Sequence, residues 1–382
     1  MCTAVAPPRR CTAIGTGCEF VYPLHPGFHR SSFDLTYSYN AQTAMADESG
    51  VPPTEQVIPS NMWAPPVVDM QSPEAPMILA KACKDFGFFY VENHGVSEDV
   101  IGEVFRQSKA FFSLGIDDKM SVKADKNNRG FTPMHEEILD PAKQVKGDTK
   151  EGYYIFREMA PAAFDGKTGD TSRPLKGPNQ WPSEELLPGW KATMQDFFLT
   201  MHALGVRLTG LLSAGLGLEP SFFQRCTSEM AHALRLLHYS AEVSDPGKGV
   251  LGAGAHSDYG LITLLATDEV PGLQVRLNGK WLDVPPRKGA FICNLGDMLQ
   301  RWTNDHLRST VHRVVNKLGR ERYSVPFFFE PNFDTEVVCF PQFCSEDNPA
   351  KHPPVTAGTY LLGKYSETHQ DFDGNQEDGG LT

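Results

Sequence analysis

The sequence lacks the features that mark several special classes of protein. No stretch of its 382 residues approaches the roughly 20 consecutive apolar residues that a helix needs to cross a bilayer, so we expect no membrane partner. Basic residues are the minority, because 35 Lys and Arg stand against 47 Asp and Glu, and the net charge is −12. Broad binding to nucleic acid or to an anionic surface usually needs a basic face and is therefore not expected.

The eight cysteines are spread along the chain without the closely spaced pairs that ligate zinc. Cys83 and Cys293 fall in apolar runs and are predicted to be buried thiols. A reducing compartment, and hence a cytoplasmic location, is the simpler interpretation. An organelle is the alternative, because the first 18 residues contain no acidic side chain, a pattern weakly typical of transit segments. We prefer a disordered leader, or a protein start at Met45, to targeting.

The remaining chain has an ordinary globular balance, with 40% hydrophobic and 21% charged residues and no internal repeat. We predict four segments: a disordered leader (1–60), a region of helices and strands (61–220), a β-rich core (221–365) and an acidic disordered tail (366–382). Apolar residues at helical spacing predict helices over 73–86, 97–112 and 190–216. Short apolar runs predict strands over 88–92, 233–239, 261–266, 272–277, 280–284, 290–294, 310–315, 322–329 and 336–340. Such a series indicates an all-β core, a jelly roll or barrel, with flanking α-helices.

Within that core, His256-Ser257-Asp258 precedes an apolar strand, and a second imidazole, His312, lies in another predicted strand. Two residues apart in a strand, His256 and Asp258 would project from the same face. Two imidazoles and one carboxylate form the ligand set of non-haem Fe(II) centres that keep open positions for substrate and oxygen. Arg322 and Ser324 follow on one face of a later strand, where they would suit a free carboxylate.

Similar triplets occur elsewhere in the chain without this context. His369-Gln370-Asp371 lies in the acidic tail, Arg30-Ser31-Ser32 in the polar leader and Arg106-Gln107-Ser108 in a predicted helix. A single strand histidine is more often structural than a ligand. The order, the spacing and the strand context together therefore carry the prediction of a metal site.

At this point the sequence resembles the plant and fungal 2-oxoglutarate/Fe(II)-dependent dioxygenases of the isopenicillin N synthase-like family. The similarity covers about residues 66–365. Its motifs are 85–96 (DFGFFYVENHGV), 129–131 (RGF), 148–151 (DTKE), 256–260 (HSDYG), 271–275 (PGLQV), 294–297 (NLGD), 312–314 (HRV) and 322–324 (RYS). The motifs are specific for the superfamily and do not specify a substrate.

The resemblance implies a double-stranded β-helix, or jelly roll, with helices packed outside. It also implies that His256, Asp258 and His312 bind Fe(II), with O2 as the oxidant and ascorbate as a supporting reductant. The cosubstrate 2-oxoglutarate would be bound by Arg322, Ser324 and Tyr239. One departure is that Leu237 stands where the family usually has an asparagine that contacts 2-oxoglutarate.

By the same resemblance, the substrate pocket is expected to be lined by Arg129, Phe131, Tyr153, Tyr154, Phe327 and Phe329. Aromatic side chains would suit an apolar or ring-bearing small molecule. Each of these phenylalanines could equally be part of the core, and Arg129 could either hold an acidic substrate or pin a turn. Asn294 and Asp297 are candidates to orient a metal ligand, although we prefer a helix N-cap as the role of Asp297.

The main hypothesis is therefore a monomeric enzyme that couples decarboxylation of 2-oxoglutarate, to succinate and CO2, to hydroxylation or a related oxidation of a small organic metabolite. One alternative is an Fe(II) oxidase of the same fold that does not use 2-oxoglutarate, which Leu237 mildly favours. A non-catalytic binding protein on the same scaffold is another, which the complete ligand set disfavours. A zinc hydrolase is weaker, because no positioned general base is evident.

Overall fold

A computed structural model describes residues 57–58, 63–125, 127–159, 175 and 177–368 of the protein. Most of the predicted leader, most of the predicted tail and the His369 triplet lie outside the described residues. Of the leader, Val57–Ile58 form a strand, and of the tail, residues 366–368 end a helix. The proposed boundaries at 60, 220 and 365 stay predictions.

The larger of two main sheets has eight strands, and both the N-terminal and the C-terminal parts of the chain contribute to it. In spatial order it contains β2 (Val67–Asp69), β3 (Phe88–Glu92), β11 (Phe291–Leu295), β8 (Ile262–Thr267), β13 (Arg322–Phe329), β6 (Ala233–Tyr239), β5 (Lys150–Phe156) and β4 (Gly130–Thr132). Only the β2–β3 pair is parallel among these neighbours. Several strands are buried along their whole length, which explains their continuous apolar runs.

The smaller sheet has five strands, in the order β1 (Val57–Ile58), β10 (Lys280–Asp283), β9 (Leu273–Leu277), β12 (His312–Val314) and β7 (Ala253–His256). Asn278 and Gly279 connect β9 to β10, and both have positive φ, 49° and 78°. Two such residues give the turn whose twist matches a two-residue hairpin. A two-stranded ribbon, β14 (Glu336–Val337) with β15 (Val355–Thr356), lies apart from both sheets.

Seven helices accompany the sheets in the described part of the chain: α1 (Ala75–Asp85), α2 (Glu98–Phe112), α3 (Ile116–Met120), α4 (Trp190–Leu216), α5 (Phe222–Cys226), α6 (Asp297–Trp302) and α7 (Ala357–Thr368). The Ser97 side chain caps α2 by accepting from the Val100 N–H, as its position before the helix predicts. Two glycines let α4 approach its neighbours closely. A Cβ on Gly205 would lie 2.3 Å from the Phe329 ring, and one on Gly215 would lie 2.2 Å from the Pro76 oxygen.

The apolar face of α4 belongs to the core, because Met194, Phe197, Met201, Leu204 and Leu208 are fully buried. By length and composition α4 would also be apolar enough to cross a membrane, with half of its most apolar window buried. The buried core helix of a globular protein passes the same test.

The jelly-roll architecture with flanking helices is thus confirmed, and most predicted elements occur within one or two residues of their expected bounds. Two strand predictions were too long by three residues. The run at 310–315 forms a strand only over His312–Val314, and 336–340 only over Glu336–Val337. The prediction that His256 and Asp258 lie on one strand was wrong, because β7 ends at His256 and Asp258 lies in the following loop.

Candidate active site

The two candidate histidines are cross-strand neighbours. β12 pairs antiparallel with β7, and His312 lies directly opposite His256. Each imidazole uses its Nδ1 to contact a backbone oxygen, Gly254 O at 2.8 Å for His256 and Thr310 O at 3.1 Å for His312. Because a carbonyl only accepts, Nδ1 carries the proton in both rings, and each Nε2 lone pair is free to bind a metal.

The third ligand, Asp258, is positioned by the start of α6. The backbone N–H of Asp297 donates to the backbone carbonyl oxygen of Asp258 at 2.8 Å, and the backbone N–H of Met298 donates to that of Tyr259 at 3.1 Å. The two oxygens of the Asp258 carboxylate have different partners. Oδ2 accepts hydrogen bonds from Asn294 Nδ2 (2.6 Å) and from the Thr263 hydroxyl. Oδ1 faces the two imidazoles, 3.9 Å from His256 Nε2 and 3.7 Å from His312 Nε2.

These three side chains fit a metal ion. One ligand atom from each lies within 4.8 Å of the others. Burial, together with the neighbouring His312, lowers the pKa of His256 to about 4, so its imidazole is neutral at physiological pH. Burial alone would raise the pKa of Asp258, but the two imidazoles and the hydrogen bonds to Oδ2 outweigh it and hold that pKa below its ordinary value. A neutral His256 and an ionised Asp258 are the states that metal binding requires.

One cavity, which we call the Arg322 cavity, contains the three ligands together with Arg322, Ser324 and Tyr239. The Arg322 guanidinium is 3% exposed and lies over the Tyr239 ring, 4.8 Å from its centroid. Its Nε and one terminal nitrogen (Nη1) have no hydrogen-bond partner. A buried cation with unused donors fits the carboxylate of a bound dicarboxylic acid. The aliphatic side chain of Leu237 lies opposite Ser324 in the β6–β13 register and also lines this cavity.

A neighbouring cavity, the Glu330 cavity, shares His256 and Asp258 with the first. Its walls include Tyr154, Tyr259, Tyr365 and Phe328, so of the expected substrate residues Tyr154 is next to the ligands. Glu330 contributes its carboxyl group. Burial, with the nearby Asp258 and Asp297, raises the pKa of Glu330 to about 8.

Four of the expected substrate residues are placed elsewhere. The side chains of Phe131, Tyr153, Phe327 and Phe329 are fully buried in the hydrophobic core cluster. Phe131 and Tyr153 pack against Phe111 of α2. Phe327 contacts Phe198 of α4, and the Phe329 ring stacks on His232.

The reason is strand alternation. Arg322 and Ser324 face the cavities, so Pro326 and Phe328 face them as well, while Phe327 and Phe329 point to the helices. Side chains alternate between the two faces of a strand, so the sequence already indicated that Phe327 and Phe329 lie on the face opposite Arg322 and Ser324.

Arg129 lines a third cavity of about 500 Å³, the Arg129 cavity, which shares Glu330 with the Glu330 cavity. Its guanidinium donates to the oxygens of Arg157 (3.2 Å) and Leu175 (3.0 Å) and to the Asn179 side chain (2.9 Å). Burial lowers its pKa to about 10. These contacts favour a structural role for Arg129, which fixes the surrounding backbone, over the binding of an acidic substrate.

Two cations also line the Arg322 cavity: Lys150, which lies in the DTKE motif but was given no role there, and Arg235, which lies in no quoted motif. Both bind Glu137: Lys150 Nζ lies 2.7 Å and Arg235 Nη2 lies 2.9 Å from its Oε2, and Lys150 also contacts Asp148. Lys150 lies four residues before Tyr154 on β5, and Arg235 lies four residues before Tyr239 on β6. An even spacing along a strand puts each pair on the same face, so the sequence already indicated that both cations face the cavity.

Two residues were expected to orient a ligand. The Asn294 side chain contacts the Asp258 carboxylate directly, whereas Asp297 contacts Asp258 only through its backbone N–H. Gly296, not Asp297, is the N-cap of α6, and the Asp297 carboxylate accepts from the Ser309 hydroxyl (2.5 Å) and the Tyr360 hydroxyl (2.8 Å). The N-cap prediction was therefore wrong by one residue.

Comparisons with known proteins agree with this geometry. The family described as non-haem dioxygenase in morphine synthesis N-terminal matches residues 65–184, and the 2OG-Fe(II) oxygenase superfamily matches residues 231–331. Kihadalactone A synthase LFS of Citrus sinensis is 36% identical over 315 residues, which are 80% of this chain and 92% of that protein. The 2-oxoglutarate-Fe(II) type oxidoreductase hxnY of Emericella nidulans is 34% identical over 326 residues, covering 80% and 90%.

Among solved structures, that of a full-length Neurospora crassa protein in complex with alpha-KG and thymine is similar with a TM-score of 0.69 and 30% identity, over 79% of this chain and 96% of that one. These relatives are similar to the chain over most of their length. The family matches and the geometry of the metal ligands point to the same family. The chain belongs to the 2OG-Fe(II) oxygenase superfamily.

Proposed function

We propose that this protein couples the oxidative decarboxylation of 2-oxoglutarate to the oxidation of a small organic metabolite, with His256, Asp258 and His312 as the Fe(II) ligands. The reaction class is that of the superfamily. The observation that carries the assignment to these residues is the convergence of His256 Nε2, His312 Nε2 and Asp258 Oδ1, each oriented by a hydrogen bond at the other polar atom of its side chain.

When bound, the iron supplies the activation of O2 that oxidises both 2-oxoglutarate and the metabolite. The chain's own residues hold the reactants. The guanidinium of Arg322 and the hydroxyl of Ser324 bind and orient the distal carboxylate of 2-oxoglutarate, and the Tyr239 ring keeps the guanidinium in place. Asn294 and Thr263 hold the outer oxygen of Asp258, so that its inner oxygen alone faces the metal.

The substrate is proposed to occupy the Arg129 cavity, which has room for a small metabolite, and to extend past Glu330 into the Glu330 cavity, which adjoins two of the three ligands. Its aromatic walls exclude water and provide apolar contact. A cytoplasmic location and a monomeric state remain proposals from the sequence alone.

The test is the Fe(II)-dependent formation of succinate from 2-oxoglutarate under air. Wild type should form succinate, and His256→Ala should lose this activity because one ligand is missing. Arg322→Ala should keep metal binding but require much more 2-oxoglutarate.

Two matched variants serve as controls. His352→Ala removes a partly exposed imidazole, and Arg320→Ala removes an exposed guanidinium two residues from Arg322. Neither should change turnover. A wild-type protein that binds iron but forms no succinate, even with a broad metabolite mixture, would contradict the use of 2-oxoglutarate.

A further inference from the structure

Glu330 is a buried carboxyl group with an unused oxygen. It follows β13 directly, on the cavity-facing side that Ser324, Pro326 and Phe328 also share. The residue is 5% exposed, and its Oε2 has no hydrogen-bond partner. Burying a carboxyl group without a partner is costly, so its presence needs an explanation.

The surrounding chain makes room for this side chain and holds it. A Cβ at Gly260 would lie 2.0 Å from Glu330 Oε2, so the missing side chain at this position leaves room for the carboxyl group where it now lies. The Glu330 N–H donates to Nδ1 of the fully buried His232 at 3.0 Å, which fixes the backbone.

Other acids near the metal ligands are already engaged. Asp258 is held by Asn294 and Thr263, and Glu137 is paired with Lys150 and Arg235. Among the residues that the structure describes, no Lys or Arg nitrogen forms an ion pair with Glu330. Among the described residues that line the Glu330 cavity, Arg235 is the one Lys or Arg side chain, and it is paired with Glu137.

We infer that Glu330 is the specificity-determining residue of the active site and that it selects substrates carrying a protonated nitrogen, an amine or a guanidine, which it holds beside His256 and Asp258. The inference rests on the proposed function, because it assigns the substrate class of that same site. In a cavity that excludes water, a carboxylate binds an ammonium or guanidinium ion more strongly than a neutral donor.

The aromatic walls support the same class of ligand. Tyr154, Tyr259, Tyr365 and Phe328 line the cavity around Glu330, and aromatic rings attract cations through their faces. The high pKa of Glu330 reflects the absence of a compensating cation, since burial and the neighbouring carboxylates disfavour its charge.

The experiment compares matched cationic and neutral probes on the full-length protein loaded with Fe(II) and 2-oxoglutarate under anaerobic conditions. Isothermal titration measures the Kd of butylguanidine against butylurea, hexylamine against 1-hexanol, and benzylamine against benzyl alcohol. We expect the cation of at least one pair to bind ten times or more tightly than its neutral partner. The inference is overturned if no cation binds better than its neutral counterpart.

Variants locate the effect. Glu330→Gln keeps the shape but cannot ionise when a cation binds, so the cation preference should fall to within twofold of unity. Glu330→Asp keeps an ionisable carboxyl group and should retain a preference. The control Glu336→Gln removes an exposed charge from β14 and should behave as wild type. A preference that survives in Glu330→Gln would overturn the assignment.

Failure of this inference is distinguishable from failure of the proposed function. Binding of 2-oxoglutarate and substrate-free succinate formation are measured on the same samples. If both occur while the probes show no charge preference, the substrate class alone is wrong. If neither occurs, the proposed function itself fails. The wild-type comparison does not depend on any variant folding.

Discussion

Asn294 should control metal affinity although it does not touch the metal. Its side-chain amide donates to Asp258 Oδ2 at 2.6 Å, and the residue is 2% exposed. A hydrogen bond to a charged group is worth about 1.5–3 kcal/mol. Removing a partner that orients a metal ligand typically costs about 10–100-fold in metal affinity, or roughly 1.4–2.7 kcal/mol. The two ranges agree, so Asn294→Ala should weaken Fe(II) binding by about that factor.

The assay is an anaerobic Fe(II) titration in competition with a fluorescent chelator. Thr263 lies opposite Asn294 in the β8–β11 register and donates to the same oxygen, so Thr263→Val should show a loss in the same direction. Asn179→Ala is the control, because Asn179 is also buried and hydrogen-bonded, to Phe156, but lies away from Asp258. Unchanged metal affinity in Asn294→Ala, with the protein folded, would refute this account of the carboxylate.

Three further predictions concern neighbouring positions. Because burial raises the pKa of Glu330 from 4.5 to about 8, folding favours its protonated form; the stabilisation is complete below pH 4.5 and is lost as the pH rises through 8. Glu330→Gln should therefore lose less thermal stability than wild type between pH 6 and 9, and parallel melting curves would contradict this. In the absence of 2-oxoglutarate, Leu237→Asn should lower the free energy of unfolding by about 1–3 kcal/mol. Added 2-oxoglutarate should restore part of this loss in urea unfolding, and a loss that 2-oxoglutarate does not change would contradict the prediction. Phe327→Ala should lower the free energy of unfolding by about 3–5 kcal/mol, because this ring is fully buried in the core. Phe328→Ala should mainly raise the substrate KM, because this ring lines the Glu330 cavity. The reverse outcome would show that the two faces of β13 are misassigned.

Much of the fold was predictable from local pattern. The long helix and the strands carrying Tyr239 and Arg322 were predicted with the bounds that the structure shows, because their apolar periodicity is continuous. Strand ends were less predictable. The strand containing His256 ends there because the loop carrying Asp258 bonds to the start of α6, a contact between positions nearly 40 residues apart.

The metal ligands and the Arg322 clamp were predictable from order and spacing, whereas the substrate cavity was not. Phe327 and Phe329 were assigned to it without applying the alternation that Arg322 and Ser324 already set. Glu330 carries no motif of its own, since its interest comes from what surrounds it: Gly260 leaves space for it, and Arg235 is bound to Glu137 instead. Such information is tertiary and appears only when the chain is folded.

The most direct test of the central claim is anomalous diffraction at the iron edge, from crystals grown anaerobically with Fe(II) and 2-oxoglutarate. The account predicts one iron peak bonded to His256 Nε2, His312 Nε2 and Asp258 Oδ1, with a carboxylate of 2-oxoglutarate on the free nitrogens of Arg322. An iron bound elsewhere, or a 2-oxoglutarate that leaves Arg322 without a partner, would contradict it.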